Sequence, residues 1–176
     1  MTVGGDQIDY PGDVSTKTSD LVTAKILFNS VVSTPDAQFM GIDIKDFYLN
    51  NVLPNKEYIR IPIKIIPDDI IQQYNLEDYV HDGYVYAEVS KGMYGLPQAG
   101  KVASDALIPR LTAAGYAPTG ITPGLFKHKT NSIVFCLVVD DFGIKYANKA
   151  DALHLRDTLQ QFYTITKDWE GGNFIG

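Results

Sequence analysis

The chain has 176 residues, of which 45% are hydrophobic, and this is enough for one domain with a real core. Its formal net charge of -6 argues against an autonomous nucleic-acid-binding domain, because such domains normally present a basic face. No apolar run reaches the ~18 residues that span a bilayer, no N-terminal run is typical of a signal peptide, and one cysteine with three scattered histidines excludes a zinc site of usual spacing.

The hydrophobic pattern predicts helices and strands that alternate along the chain. The predicted helices cover residues 20–33, 67–74, 98–114 and 149–163, and the predicted strands cover residues 39–44, 58–61, 84–89, 125–128, 133–139 and 163–166. Pro109 lies inside the third helix and is expected to kink or interrupt it. This order of elements predicts an α+β fold in which an antiparallel sheet of the split βαβ (ferredoxin-like) type carries helices on one face.

Two adjacent aspartates, Asp140 and Asp141, lie at the tip of a predicted β-hairpin. An apolar, β-branched run precedes them, and Gly143 in the returning strand is expected to supply the flexibility of the turn. Adjacent carboxylates raise each other's pKa unless a cation neutralises both, and Mg²⁺ takes such hard oxygen ligands. The alternative is an ordinary polar turn, since Asp is common in turns.

Asp43 is a second acid in an apolar setting, because it interrupts the short strand at residues 39–44. In a split βαβ sheet the first strand and the central hairpin are neighbours, so we expect Asp43 to converge with Asp140 and Asp141. Several carboxylates at one point are what a two-metal site needs for phosphoryl transfer. The alternative is that Asp43 caps the loop that follows its strand.

A loop punctuated by glycine and proline, residues 91–101, leads into the third predicted helix. Gln98 and Lys101 fall in the first turn of that helix, where backbone N–H groups favour phosphate. The alternative is an ordinary connection between a strand and a helix. The loop therefore adds a candidate nucleotide contact to the three aspartates.

Four segments in this order resemble the palm of retroelement reverse transcriptases, with copia-type retrotransposon polymerases most similar. They read GIDIKDFYLNN, KGMYGLPQAGK, LVVDDFGIKY and DWEGGNFIG. The resemblance runs from about residue 4 to residue 176. It implies a polymerase palm with partial fingers, as one domain over residues 1–176 that is truncated at both ends and lacks thumb and ribonuclease H.

The resemblance also implies roles for single residues. Asp43, Asp140 and Asp141 would be the catalytic, metal-binding carboxylates that add a deoxynucleotide to a primer 3′-hydroxyl, with Mg²⁺ or Mn²⁺ as the cofactor. Tyr48 falls where the family keeps a bulky gate against the ribose 2′-hydroxyl; a plain core or surface aromatic is the alternative. Val138 departs from the family, which usually has Tyr two positions before the paired aspartates.

Further positions follow from the same resemblance. Ile44, Gln98 and Lys101 would join Tyr48 in binding the incoming nucleotide, and Trp169 and Gly171 would begin the primer grip. The basic regions that grip triphosphate and duplex in the family cannot be assigned here. We therefore expect weak or no polymerase activity from residues 1–176 alone.

The partners implied by the resemblance are an RNA or DNA template with primer, deoxynucleoside triphosphates and the remaining polyprotein domains (thumb, ribonuclease H and integrase), without a membrane. The expected setting is cytoplasmic, in a virus-like particle, or nuclear, and Cys136 as a reduced core residue fits that setting. The main alternative is a non-catalytic retroelement relic that folds but polymerises nothing. A weaker one is another palm-fold nucleotidyl-transferring enzyme, such as a cyclase.

Overall fold

The computed structural model describes residues 8–172 and residue 174. Within them lie four α-helices and eight strands. The helices are α1 (Leu21–Val32), α2 (Asp68–Gln73), α3 (Ala99–Ala113) and α4 (Lys149–Gln160). The strands are β1 (Gln38–Ile44), β2 (Val52–Pro62), β3 (Tyr84–Lys91), β4 (Tyr116–Pro118), β5 (Leu125–His128), β6 (Ile133–Val138), β7 (Asp141–Tyr146) and β8 (Ile165–Asp168). None of the described helices is long and apolar enough to cross a membrane.

Six strands form one antiparallel sheet in the order β4-β5-β6-β7-β1-β8. Strand β1 therefore lies between β8 and β7, which is the second strand of the β6–β7 hairpin. Strands β2 and β3 form a separate antiparallel pair. The antiparallel sheet and the α+β character are as the sequence predicted; β4 was not predicted.

The main core lies on the face of the large sheet that α3 and α4 cover. Alternate residues of the strands point to opposite faces, so every second residue of β1, β6 and β7 enters this core. These residues are Met40, Ile42, Ile44, Ile133, Phe135, Leu137, Phe142, Ile144 and Tyr146. The intervening residues, which include Asp43 and Asp141, belong to the other face.

Helix α1 covers part of that other face, so the prediction that all helices pack on one face is wrong. Its buried residues Ala24 and Leu27 form a second cluster with Cys136, and Phe39 packs against the same cluster. The ammonium group of Lys145 donates to the Ser30 carbonyl oxygen at 2.9 Å and anchors the helix. The end of the sheet that carries Asp43 lies outside this second cluster.

Helix α3 continues through Pro109, so the prediction that the proline interrupts the helix is wrong, and the predicted kink stays a prediction. Pro109 lies on the exposed side, where water can solvate the carbonyl that loses its N–H partner. The opposite side carries the fully buried residues Ala103, Leu107 and Leu111. Packing of this apolar side holds the helix together across the proline.

Candidate active site

Two of the predicted aspartates are direct partners in the sheet. Strands β1 and β7 pair antiparallel with Asp43 opposite Asp141. Residues opposite each other in such a pair have Cβ atoms about 4.5–5.5 Å apart and side chains on one face. The backbone N–H of Ile44 donates to the Asp140 carbonyl oxygen at 3.1 Å, which ties the hairpin turn to the end of β1.

The turn between β6 and β7 consists of Val139 and Asp140, and Val139 has a positive φ of 58°. A β-branched residue rarely adopts this left-handed backbone. Gly143 does not supply the turn, contrary to the prediction, because it lies inside β7. A Cβ at Gly143 would come within 2.6 Å of the Phe174 ring, so the glycine is needed for close packing.

A segment before α1 holds this turn in place, which the sequence did not predict. The Thr18 hydroxyl donates to the Leu137 carbonyl oxygen at 3.1 Å and accepts from the Val139 N–H at 3.1 Å. The Ser19 N–H donates to the same Leu137 oxygen at 2.8 Å. These bonds satisfy the backbone groups that immediately precede the Cα of the strained residue.

The three aspartates repel one another. Burial raises the pKa of Asp43, and the charges of Asp140 and Asp46 raise it further. Burial likewise raises the pKa of Asp141, with added repulsion from Asp140 and Asp43. No lysine or arginine of the described chain offsets these two shifts, so the cluster favours a bound cation or a proton.

The cluster suits a divalent cation in its chemistry but not fully in its arrangement. Carboxylate oxygens are the ligands that Mg²⁺ prefers. Among the described residues, however, no group of three His, Cys, Asp or Glu side chains is placed to hold one metal ion. The Asp140 Oδ2 atom accepts a hydrogen bond of 2.6 Å from the Tyr94 hydroxyl.

Tyr48 lies beside this cluster. Its half-buried ring packs against Tyr94 with ring centroids 4.4 Å apart and planes at 64°. Burial raises the pKa of Tyr48, and the charge of Asp140 adds to the shift. Ile44 differs, because its side chain is fully buried in the main core and only its backbone N–H reaches the turn.

The structure does not bring Gln98 and Lys101 to the aspartates. Gln98 is only 1% exposed, and its side-chain nitrogen donates to Glu57 of β2 at 2.7 Å, while its side-chain oxygen has no hydrogen-bond partner among the described residues. Lys101 pairs with Asp105 and lines a cleft of about 430 Å³ whose lining contains none of the three aspartates. Both nucleotide contacts remain predictions.

The predicted primer-grip residues lie toward the other end of β1. Trp169 makes an edge contact with Tyr146, and Tyr146 pairs with Gln38 at the end of β1 farthest from Asp43. Gly171 has a positive φ of 63°, and a Cβ there would come within 2.5 Å of the Phe39 ring. Residues 173, 175 and 176 of the same motif lie outside the described residues.

Val138 pairs with Asp141 across the hairpin and belongs to the same face of the sheet. The position where the resemblance leads one to expect an aromatic residue therefore adjoins the acidic cluster. An aliphatic side chain there preserves the strand and offers no hydrogen bond.

No family profile matches the chain, and no curated protein matches it by sequence. Solved structures of telomerases align with most of this chain at low identity. A telomerase from Candida albicans, in complex with a TWJ fragment of telomeric RNA, aligns over 92% of this chain and 32% of its own, with 10% identity and a TM-score of 0.49. An apo telomerase from Candida tropicalis, truncated from its C-terminal domain, aligns over 92% of this chain and 38% of its own, with 13% identity and a TM-score of 0.45.

A further structure of apo telomerase from Candida tropicalis aligns over 90% of this chain and 34% of its own, with 11% identity and a TM-score of 0.45. The chain thus spans about a third of the length of these telomerase chains. At such scores the similarity carries no argument about activity, which has to come from the chain's own residues.

Proposed function

We propose that this chain is the palm segment of an RNA-directed DNA polymerase of a copia-type retrotransposon. The proposal rests on one observation above all: Asp43 of β1 lies directly opposite Asp141 of β7, beside the turn that carries Asp140. Three carboxylates at one end of a sheet, with no neutralising side chain in the described part of the chain, are the donor set of a cation-dependent phosphoryl transfer.

In this proposal Asp43 and Asp141 hold Mg²⁺ or Mn²⁺, and Asp140 completes the ligand set. The cations would polarise the phosphate and lower the pKa of the primer hydroxyl. Tyr48, half-buried beside the cluster, would exclude a ribose 2′-hydroxyl from the nucleotide. Template, primer, the further polyprotein domains and the cytoplasmic or nuclear setting belong to the same proposal.

A non-catalytic relic is the second candidate, and the spacing of the acidic side chains favours it. Among the described residues, no three His, Cys, Asp or Glu side chains are placed to hold one metal ion. A relic that folds but polymerises nothing would need no better arrangement.

The test combines binding with incorporation, because residues 1–176 alone are expected to extend a primer weakly at best. Binding of a deoxynucleoside triphosphate and of Mn²⁺ is measured on the wild type, on Asp141→Asn and on Asp9→Asn, an exposed control. The proposal requires Mn²⁺-dependent nucleotide binding that Asp141→Asn abolishes and Asp9→Asn retains. Equal binding by all three proteins refutes it.

Primer extension on an RNA template with Mg²⁺ completes the test. Robust synthesis by residues 1–176 would contradict the expectation that the basic regions of fingers and thumb are needed. Metal-dependent nucleotide binding with little or no incorporation is the result expected of this segment, whereas absence of Mn²⁺-dependent nucleotide binding would favour the relic.

A further inference from the structure

The ribbon formed by β2 and β3 has two different faces, because side chains alternate along each strand. On the inner face Val85 and Val89 are buried, and Val89 packs in a small core with Leu96 and Ala99. The side chains of the outer face point away from this core. They are Lys56, Tyr58, Arg60, Tyr84, Tyr86 and Glu88.

Two exposed tyrosines lie close together on the outer face. Tyr58 is 71% exposed and Tyr86 57%. Strand register places Tyr58 opposite Glu88 and Arg60 opposite Tyr86, so the two tyrosines are diagonal neighbours. Such neighbours lie about 7–8 Å apart. Two stacking distances of about 3.4 Å add up to nearly the same length, so this spacing suits one nucleobase between the two rings.

The outer face carries positive charge, although the whole chain has a net charge of -6. Its acid, Glu88, accepts a hydrogen bond of 3.0 Å from Lys56 and is thereby neutralised. Arg60 has no ion pair within the described ranges, and its guanidinium lies over the Tyr84 ring at 4.3 Å. A stacked guanidinium keeps N–H groups at its edge, and these match a phosphate.

The segment that joins the two strands has the opposite charge. Residues 66–83 contain five acidic residues and neither lysine nor arginine. Repulsion from this segment confines a polyanion to the ribbon itself, which is long enough for a few nucleotides only. The same segment provides a control residue, because Tyr79 is 68% exposed and lies among these acids.

We propose that the outer face of the ribbon binds single-stranded nucleic acid, with one base stacked between Tyr58 and Tyr86 and one phosphate on Arg60. The inference rests on the proposed function, since an RNA-directed polymerase handles an unpaired template strand. The strand has to be unpaired, because a duplex hides the faces of its bases. Tyrosine and arginine are also common in protein interfaces, but a gap of base size beside a free cation favours nucleic acid.

Fluorescence anisotropy of a labelled short oligodeoxythymidylate, with residues 1–176 in EDTA at low salt, tests the inference. Tyr58→Thr and Tyr86→Thr are each expected to weaken binding at least about fivefold, which is the lower bound for one base stacked on an aromatic ring. Threonine is chosen because it favours strands and so preserves the ribbon. Tyr58→Phe, which keeps the ring, and Tyr79→Thr are expected to bind like the wild type.

An abasic strand of equal length separates stacking from charge without any substitution in the protein. The wild type is expected to bind it at least about fivefold more weakly than the strand with bases. Arg60→Gln is expected to reduce the slope of log affinity against log salt by about 0.7, as for the loss of one phosphate contact to a single strand. Equal binding of the two strands, tighter binding of a duplex, or no binding at low salt overturns the inference.

The use of EDTA keeps this test independent of the proposed metal site. If Mn²⁺-dependent nucleotide binding requires Asp141 but strand binding is the same in Tyr58→Thr and Tyr86→Thr as in the wild type, the ribbon inference is wrong and the proposed function stands. If strand binding requires both tyrosines while Asp141→Asn retains Mn²⁺-dependent nucleotide binding, the metal site is wrong and the ribbon binds single strands in another context.

Discussion

Replacing Asp43 with Asn should stabilise the protein. The side chain keeps its size, and no hydrogen bond to the Asp43 carboxylate exists among the described residues that the change would break. Like charges placed directly opposite on neighbouring strands are destabilising, by about 0.5–1 kcal/mol for a partly exposed pair. For a chain of this length that corresponds to a rise in Tm of about 1–4 °C.

The pH dependence of this gain has a definite sign. The pKa of Asp43 is raised in the folded state by burial and by its acidic neighbours, so the folded protein binds the proton more tightly than the unfolded chain. The destabilisation is thus fully present above the raised pKa. It disappears as the pH falls through that value toward the ordinary Asp pKa of about 3.9.

Thermal and urea unfolding from pH 7 down to about pH 4 measures the effect. Asp43→Asn should exceed the wild type at pH 7 and approach it at the acid end, while Asp9→Asn, an exposed control, should follow the wild type throughout. Mg²⁺ should narrow the difference at pH 7, because a ligand that binds only the folded wild type stabilises it. A variant that is less stable than the wild type at pH 7 would show that the repulsion argument is wrong.

Three further outcomes are expected. Val139→Asn should raise the free energy of unfolding by about 0.5–1 kcal/mol, because Asn tolerates a positive φ better than Val; unchanged or lower stability in urea contradicts this. Gln98→Met should lower the free energy of unfolding by about 1–3 kcal/mol, because Glu57 loses its hydrogen-bond donor. If Gln98→Met loses no more stability than Glu57→Gln, the lost stability does not come from this hydrogen bond. The Cys136 thiol, buried and with its pKa raised to about 11, should resist alkylation by iodoacetamide in the folded protein and react in denaturant, and rapid labelling without denaturant would contradict its burial.

The sequence was sufficient for those parts of the fold that repeat locally. The β-branched run before Asp140 and the alternation after Asp141 predicted the hairpin, and the neighbourhood of β1 and the hairpin followed from the assumed split βαβ order. The face that α1 covers was not predictable in the same way. A helix of 12 residues whose apolar residues are spread around its surface can pack on either face of the sheet, and only the tertiary contacts of Ala24 and Leu27 decide which.

The contacts that shape the site were not predictable, because each joins side chains far apart in sequence. Thr18 reaches Val139 across 121 positions, Tyr94 reaches Asp140 across 46, and Gln98 reaches Glu57 across 41. No hydrophobic periodicity and no motif spacing in the sequence indicates any of these three contacts. Gln98 shows the consequence, because its place at the start of α3 predicted a nucleotide contact, whereas its amide is buried against β2.

The position of Asp140 is determined by more than its own hairpin. A left-handed conformation at Val139 costs about 1–2 kcal/mol and persists only where surrounding contacts compensate for it. Thr18 supplies such contacts to the backbone on one side, and the Ile44 N–H supplies one to the Asp140 carbonyl on the other. Because these bonds fix the backbone of the turn, the side-chain torsions of Asp140 are the adjustable part of the cluster. Tyr94, which holds that side chain, is therefore the contact through which a change elsewhere in the loop would alter the site.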